Sequence, residues 1–415
     1  MRLAVEIHGT RVGLLEGGAR DFDFVPDPAG LALFGINSTV LSVTIPLVRH
    51  PRRDRAGRRR NWFAELLPEG DQYEFMLAQG ALKRGDTPAF LARYGRDVAG
   101  ALQIWDVDDP TEPRTPAVRS VTEEEVRTLL EDPSGSPLAN DRAAGKSSLG
   151  GVQPKLVLVR IGAPGNEGWA QALGGYPSTH ILKPQLPGSF ATVIFDEEYG
   201  SRLARVLGLA PFDVVIADFA GLPTLVVERF DRSDVGRVHQ EDMNQALGAS
   251  GNEKYQRIGG AVSLRRIADV VERHARPQDL VALARMVVLA VGIGNLDMHA
   301  KNLGLLHTAA GSVQLAPAYD VVPQAHLSRD GELALAVNRK YRHADVTRED
   351  LIAEFRGWGI RDNKRIIDRV LTELRTAVES EYPLPGAFAG LRDQISGFVE
   401  NLIAGRAAGE PQEPY

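Results

Sequence analysis

Asp297 and Asn302 are separated by four residues in GNLDMHAKN, residues 294–302. An acid and an amide at that spacing are what a kinase catalytic loop uses to accept a hydroxyl proton and to hold Mg²⁺. The stretches NLGLLH and SVQLAP, joined around TAAG, read as a hairpin whose far end carries Asp320 in LAPAYDVV back beside Asn302. Upstream, Lys183 closes the apolar run HILKP, where a strand lysine reaches the α and β phosphates of a nucleotide. A second lysine, Lys155, follows SSLGGVQP, in which Gly150 and Gly151 lack the Cβ that would keep main-chain N–H groups away from phosphate oxygens. Phosphoryl transfer needs a carboxylate at the attacking hydroxyl, oxygen ligands for Mg²⁺, a cation on the phosphates and a close-fitting backbone over them. These residues supply all four.

Each feature alone has a plainer reading. An Asp, His, Lys and Asn within six residues can be a solvated loop after a buried helix, Lys183 a surface lysine, and the glycine pair an ordinary turn. The roles in sequence order favour the site. GKSS at 145–148 invites a Walker A reading, but that motif needs glycine at position 140, which is Asn, and a buried strand before it. His239, Glu241 and Asp242 in HQEDM read as a polar loop and a helix start rather than a metal site. Glu228, Arg229, Asp231 and Arg232 read equally well as surface ion pairs around a core Phe230, and no partner is evident for His274, His326 or His343.

The elements that must hold these residues follow from periodicity. Short alternations such as Leu3, Val5 and Ile7, then Val40, Val43 and Ile45, predict a small sheet in the first hundred residues. FAELLPEGDQYEFMLAQ and TPAFLARYG predict helices, the second capped by Asp86 or Thr87 with Pro88 in its first turn. DVDDPTEPRTPA, 106–117, reads as a linker, with a boundary near 110. Strands KLVLVRI and THILKP flank a polar Gly-rich turn, a helix carries EEYGSRLARVLG, and strands DVVIADF and LPTLVVERF complete a small-lobe order. Beyond Asp231 the chain is helical, in SLRRIADVVERHA, DLVALARMVVLAVGIG, 349–379 and 388–405, with the hairpin after Asn302 as the only strand pair. The expected division is 1–110, 140–232 and 233–405, with 406–415 a disordered tail.

A net charge of −6 gives no global attraction to nucleic acid or anionic membranes, and the absence of cysteine excludes disulfides and thiolate metal sites. The basic run RHPRRDRAGRRR, 49–60, reads as an exposed hairpin loop, with contact to DNA backbone as its alternative. Glu6 and His8 interrupt the run a secretory segment would need, and MVVLAVGIG is about half a membrane span, so a cytoplasmic protein without membrane contact is expected.

SLGGVQPK, HILKP, VERFDR, HQEDM, GNLDMHAKN and LAPAYDVV occur in the order found in HipA-like serine/threonine protein kinases, and FAELLPEG resembles that family's amino-terminal domain. The resemblance spans about 61–322. It implies a two-lobed α+β kinase-like fold with an amino-terminal accessory domain and a mainly helical carboxy-terminal lobe, using ATP and Mg²⁺. It also implies roles. Asp297 would be the base, with Lys301 offsetting charge on the transferred group, and Asn302 and Asp320 would hold the metal. Gly150, Gly151, Val152, Gln153, Pro154 and Lys155 would form the ATP loop, with Lys183 on the phosphates, Glu228, Arg229 and Phe230 as the hinge at adenine, and His299 and Tyr319 beside the nucleotide. Ser148, rather than Ser147, matches the loop serine whose phosphorylation expels the loop and silences the kinase. Partners implied are a HipB-like DNA-binding antitoxin and a protein substrate such as an aminoacyl-tRNA synthetase, with DNA met through the antitoxin or the basic run. The rival readings are a small-molecule kinase and a non-catalytic co-repressor.

Overall fold

Leu3, Val5 and Ile7 alternate on β1 (Arg2–Ile7) and are fully buried, which seats this strand at the centre of a small antiparallel sheet. The computed structural model, which describes residues 1–112, 115–140, 145–163, 165–234, 236–308, 310–327 and 330–411, pairs β1 with β2 (Thr10–Glu16) and β4 (Leu102–Asp106). β3 (Asp23–Pro26) completes the order β3-β2-β1-β4. α1 (Pro28–Phe34) follows, capped by the Asp27 carboxylate. α2 (Ala56–Ala64) and α4 (Thr87–Tyr94) pack on this sheet, α3 (Gly70–Gly80) lies against α4, and Asp86 caps α4 as expected by accepting from Ala89 N–H. Two expectations fail here. Val40 to Ile45 form no strand: Val40, Leu41, Ser42 and Ile45 are buried, but the Val43 N–H is bonded across to Glu241 instead of to a ladder. The run 49–60 is a 3₁₀ turn and the start of α2 rather than a hairpin loop, because fully buried Trp62 and Phe63 anchor a helical register and Arg59 turns inward to Asp23. Arg49, Arg53, Arg55 and Arg58 stay exposed.

The second sheet has six strands in the order β5-β7-β6-β8-β10-β9. These are β5 (Ala117–Val121), β6 (Leu156–Ala163), β7 (Asn166–Leu173), β8 (His180–Pro184), β9 (Val214–Phe219) and β10 (Leu222–Glu228). β7 occupies part of the stretch expected as a Gly-rich turn, and β5 begins at the last residue of the expected linker. Neither shows apolar alternation, because β7 is half exposed and β5 is exposed along four of its five residues. α5 (Glu123–Glu131) begins with a capping box between Thr122 and Glu125, and α6 (Val193–Val206) lies against β9 and β10.

The third region is mostly helix: α7 (Met243–Leu247), α8 (Leu264–His274), α9 (Pro277–Ile293), α10 (Arg348–Gly357), α11 (Asn363–Ser380) and α12 (Leu391–Ile403). α9 is buried almost throughout its second half against α11 and α12, consistent with its nearly unbroken apolar run. β11 (Arg232–Ser233) and β12 (Gly236–Arg237) form a short ribbon at its start. HQED is strand β13 (His239–Asp242) rather than a loop, and it pairs with β14 (Gly304–His307), which pairs in turn with β15 (Val313–Leu315). Only its last residue behaves as expected, Asp242 capping α7. A second hairpin, β16 (Glu332–Val337) with β17 (Lys340–Arg342), adds to the one strand pair foreseen. His343, for which no partner was evident, bonds through Nε2 to Val291 O at 2.7 Å. The tail is ordered to its described end: Ala408 is fully buried, and its N–H donates to Val346 O at 2.8 Å. Residues 412–415 lie outside the described residues. Among the described residues no helix is long and apolar enough to cross a membrane.

Two buried polar clusters fasten the first region to the rest. Asp97, just before β4, meets Arg232 at 2.9 Å and Arg237 at 3.4 Å, while Arg229 forks onto Asp231 at 2.9 and 2.8 Å, and Gly100 N–H donates to Asp231 at 2.7 Å. Glu241 of β13 accepts from Ser42 Oγ, Val43 N–H and Trp62 Nε1 at 2.6, 2.8 and 2.9 Å, and lies 3.0 Å from His307 Nε2. This is why 40–45 is buried without being a strand.

Candidate active site

β8 delivers Lys183 between two acids. Its Nζ donates to both Glu197 oxygens, at 2.8 and 3.0 Å, and to Asp320 Oδ1 at 2.6 Å. Glu197 comes from α6, so the helix and strand of one lobe and the loop of the other meet on one ammonium. Burial would push the Asp320 carboxyl up, but the charge and hydrogen bond of Lys183 hold it down to about 2. Burial, with Asp320 nearby, pushes Glu197 up to about 7. Asp320 also sits at φ +55°, a left-handed conformation that non-glycine residues adopt chiefly where surrounding contacts impose it.

The loop between α9 and β14 carries Asp297. Tyr255 OH donates to its Oδ1 at 3.2 Å, and the Asn302 carboxamide nitrogen donates to its main-chain oxygen at 2.9 Å. That bond uses one N–H of the Asn302 carboxamide and sets its orientation, the oxygen being the atom that suits a cation. Burial and the charge of Asp320 push the Asp297 carboxyl up to about 6, against the hydrogen bond from Tyr255. His299, on the same loop, packs edge-on to Tyr255 at 5.3 Å, and burial lowers it to about 4, so it is neutral at pH 7. The donors available for a metal, the Asn302 oxygen and the Asp320 carboxylate, are hard oxygens and suit Mg²⁺.

The glycine loop adjoins this group through Lys155. Lys155 is buried and folds back to Gly150 O at 2.9 Å, and burial beside Lys183 lowers it to about 8. Gly151 adopts φ +100°, and Val152 is exposed at the loop. Ser148 is fully buried, its Oγ donating to Leu66 O at 3.0 Å. Ser147 Oγ donates to Asp97 at 3.2 Å. Lys146, the lysine of the rejected Walker A match, is engaged with Glu112 at 2.9 Å.

Not every expected residue converges on this group. The N–H groups of Glu228 and Arg229 are bonded to Asp213 O and Thr179 O, both at 2.9 Å, and the Arg229 side chain belongs to the buried Asp231 cluster. Of the three residues expected at a hinge, Phe230 alone has its ring beside Tyr319, at 5.2 Å. Lys301 points away from Asp297: its Nζ is held by Glu65 Oε2 at 2.7 Å, with Glu69 at 3.5 Å and Asp242 at 3.6 Å. A cleft of about 390 Å³ beside it is lined by Glu65, Leu67, Glu69, Gly70, Asn252 and Lys301. Three contributors escaped the sequence reading. Glu197 had a signal, an acidic pair on the helix after the lysine strand, matching the lysine and helix-acid pairing of kinases. Tyr255 had none, and Glu65 stood out only as part of FAELLPEG, since each reaches the catalytic loop from a distant part of the chain.

Comparison with known proteins gives a consistent picture. Residues 147–381 match the HipA-like C-terminal domain and residues 3–105 the HipA N-terminal domain. A Shewanella oneidensis serine/threonine-protein kinase toxin, HipA, is 30% identical over 78% of this chain and 76% of its own. The solved complex of Shewanella oneidensis HipA with HipB and operator DNA contains a chain that superposes with a TM-score of 0.76 at 25% identity, covering 97% of this chain and 96% of that one.

Proposed function

Because this chain belongs to the HipA-like family of kinase toxins, we propose that it transfers the γ-phosphoryl group of ATP to serine or threonine hydroxyls of a protein, as the toxin paired with a HipB-like DNA-binding antitoxin. The observation that carries this reading is Lys183 held between Glu197 and Asp320, with Asp297 and Asn302 on the adjoining loop. Lys183 binds the α and β phosphates, and Glu197 keeps its ammonium in place. Asn302 and Asp320 hold Mg²⁺, which when bound neutralises charge on the phosphates. Asp297, ionised at pH 7 above its value of about 6, accepts the proton of the attacking hydroxyl. Phe230 supplies the hinge main chain for adenine, and residues 150–155 cover the phosphates. Catalysis on this scheme is mainly positioning and charge stabilisation.

The finer parts of the proposal are a translation component such as an aminoacyl-tRNA synthetase as substrate, Ser148 as the site of self-phosphorylation, and a division into 1–110, 140–232 and 233–405. The same fold acting on a small molecule would leave proteins unlabelled. The test is to incubate the chain and its Asp297→Ala variant with labelled ATP, Mg²⁺ and a cell extract. Labelled protein that falls by at least about 100-fold in the variant is expected for loss of a general base. Equal labelling by both would overturn the mechanism.

A further inference from the structure

The turn 65–70 of the amino-terminal region touches both loops of the site. Leu66 O accepts from Ser148 Oγ at 3.0 Å, Glu69 N–H donates to Gly151 O at 3.4 Å, and Gly70 packs under Val152 so closely that an added Cβ would lie 3.1 Å from its Cγ1. On the other side, Glu65 grips the catalytic loop. Its Oε2 and its main-chain oxygen both accept from Lys301 Nζ, at 2.7 and 3.2 Å. The carboxylate is itself fixed by Asn244 Nδ2 at 3.1 Å and Gly251 N–H at 2.7 Å. Lys301 is held a second time through its main chain, whose oxygen accepts from Tyr319 OH at 2.8 Å. Asn302 is the next residue, and Asp320 follows Tyr319.

We propose, resting on the kinase reading above, that Glu65 is a positioning residue of the active site, fixing Lys301 and through it the placement of Asn302 as a metal ligand. The amino-terminal region on this view completes the catalytic loop as well as packing against it. Lys301 serves as the tie between the two regions rather than as a cation on the transferred group. Its ammonium is buried among Glu65, Glu69 and Asp242, at 2.7, 3.5 and 3.6 Å. Lys254, which takes up Glu69 at 2.6 Å, leaves Glu65 as the acid nearest to Lys301.

The experiment compares the parent chain, Glu65→Gln, Glu65→Asp, Lys301→Met and the double variant Glu65→Gln/Lys301→Met. Two readouts are used besides thermal unfolding. One is the rate at which an amine-reactive reagent labels Lys301 at pH 8, followed by peptide mass spectrometry. The other is the gain in affinity for a non-hydrolysable ATP analogue when Mg²⁺ is added. Glu65→Gln should speed labelling of Lys301 at least about fivefold and reduce the Mg²⁺-dependent gain by about the same factor, with affinity in the absence of Mg²⁺ unchanged. Glu65→Asp should recover part of both. In the Lys301→Met background Glu65→Gln should cost nothing further, since groups acting through one contact are not additive. Unchanged labelling, or a loss of affinity equal with and without Mg²⁺, would overturn the proposal. A parent chain that gains nothing from Mg²⁺ would instead sink the kinase reading, and the contact between Glu65 and Lys301 would then stand or fall on labelling alone.

Discussion

Gly151 holds a backbone conformation, φ +100°, that L-residues rarely adopt, and an added Cβ there would lie 2.4 Å from Lys155 Nζ. Gly151→Ala therefore both strains the loop and pushes Lys155 off Gly150 O. Strain of roughly 1–2 kcal/mol corresponds to about a tenfold rise in KM for ATP, measured by initial rates, with little change in thermal unfolding. Ser148 makes a sharper prediction. Its hydroxyl is fully buried against Leu66 O, so the carboxylate of Ser148→Asp would face a carbonyl oxygen without water. The loop should leave, and calorimetric ATP binding should weaken at least about tenfold, whereas binding as tight as the parent's would remove Ser148 from any switch. Residues marked by type and spacing were legible: Asp297, Asn302, Lys183 and Asp320 all stand out in the chain, and Lys183 meets Asp320 while Asn302 bonds to Asp297 O. Residues whose role is to aim another were not. Nothing local to Tyr255 announces that it would donate to Asp297, 42 positions away.

Helix α6 shows the same division between what a chain segment says and what its neighbours decide. Its amphipathic pattern was readable, but the segment 381–390 that straps it down was not, because this Pro- and Gly-bearing stretch has no periodicity. Tyr199 OH donates to Glu381 O at 3.1 Å, Arg202 donates to Glu381 and Tyr382 O, and Phe388 N–H donates to Asp196 Oδ1 at 2.9 Å. His326, on the segment leading away from Asp320, stacks on Phe388 at 4.2 Å and lies 3.2 Å from Asp196. Across the helix, Gly200 is pressed so close to Val321 O that a Cβ would lie 2.1 Å from it. Since Glu197 neighbours Asp196, the strap fixes the acid that holds Lys183. Asp196→Ala would leave the half-buried Phe388 N–H without its acceptor and loosen α6, costing about 1–3 kcal/mol in chemical denaturation. Turnover should fall as well, and it should fall further than in a variant of equal stability loss made far from α6. A matched loss would mean that the strap only stabilises.

At the scale of the whole molecule, the lobes and most helices were legible from apolar period, while the docking of the first region on the other two was not, since it runs through charged residues that read as surface pairs. VERFDR is the clearest case. Its side chains were as plausibly solvated as functional, yet Arg229, Asp231 and Arg232 are all buried, with Asp97 reaching them from the amino-terminal region. A buried network of this kind makes stability depend on pH. Burial pushes both carboxyls up, but the surrounding guanidinium groups win and hold Asp97 and Asp231 below the usual range. A carboxyl lowered on folding contributes stability that is complete above its unfolded value of about 3.9 and is lost as pH falls through the folded value. The protein should therefore lose thermal stability steeply as pH drops below about 4. Asp231→Asn keeps the shape but leaves Arg229 and Arg232 under-neutralised, so it should cost about 3–5 kcal/mol at pH 7. Its melting temperature should then change less than the parent's between pH 5 and pH 3. An acid limb of unaltered steepness in the variant would mean that this cluster is not what couples the regions to pH.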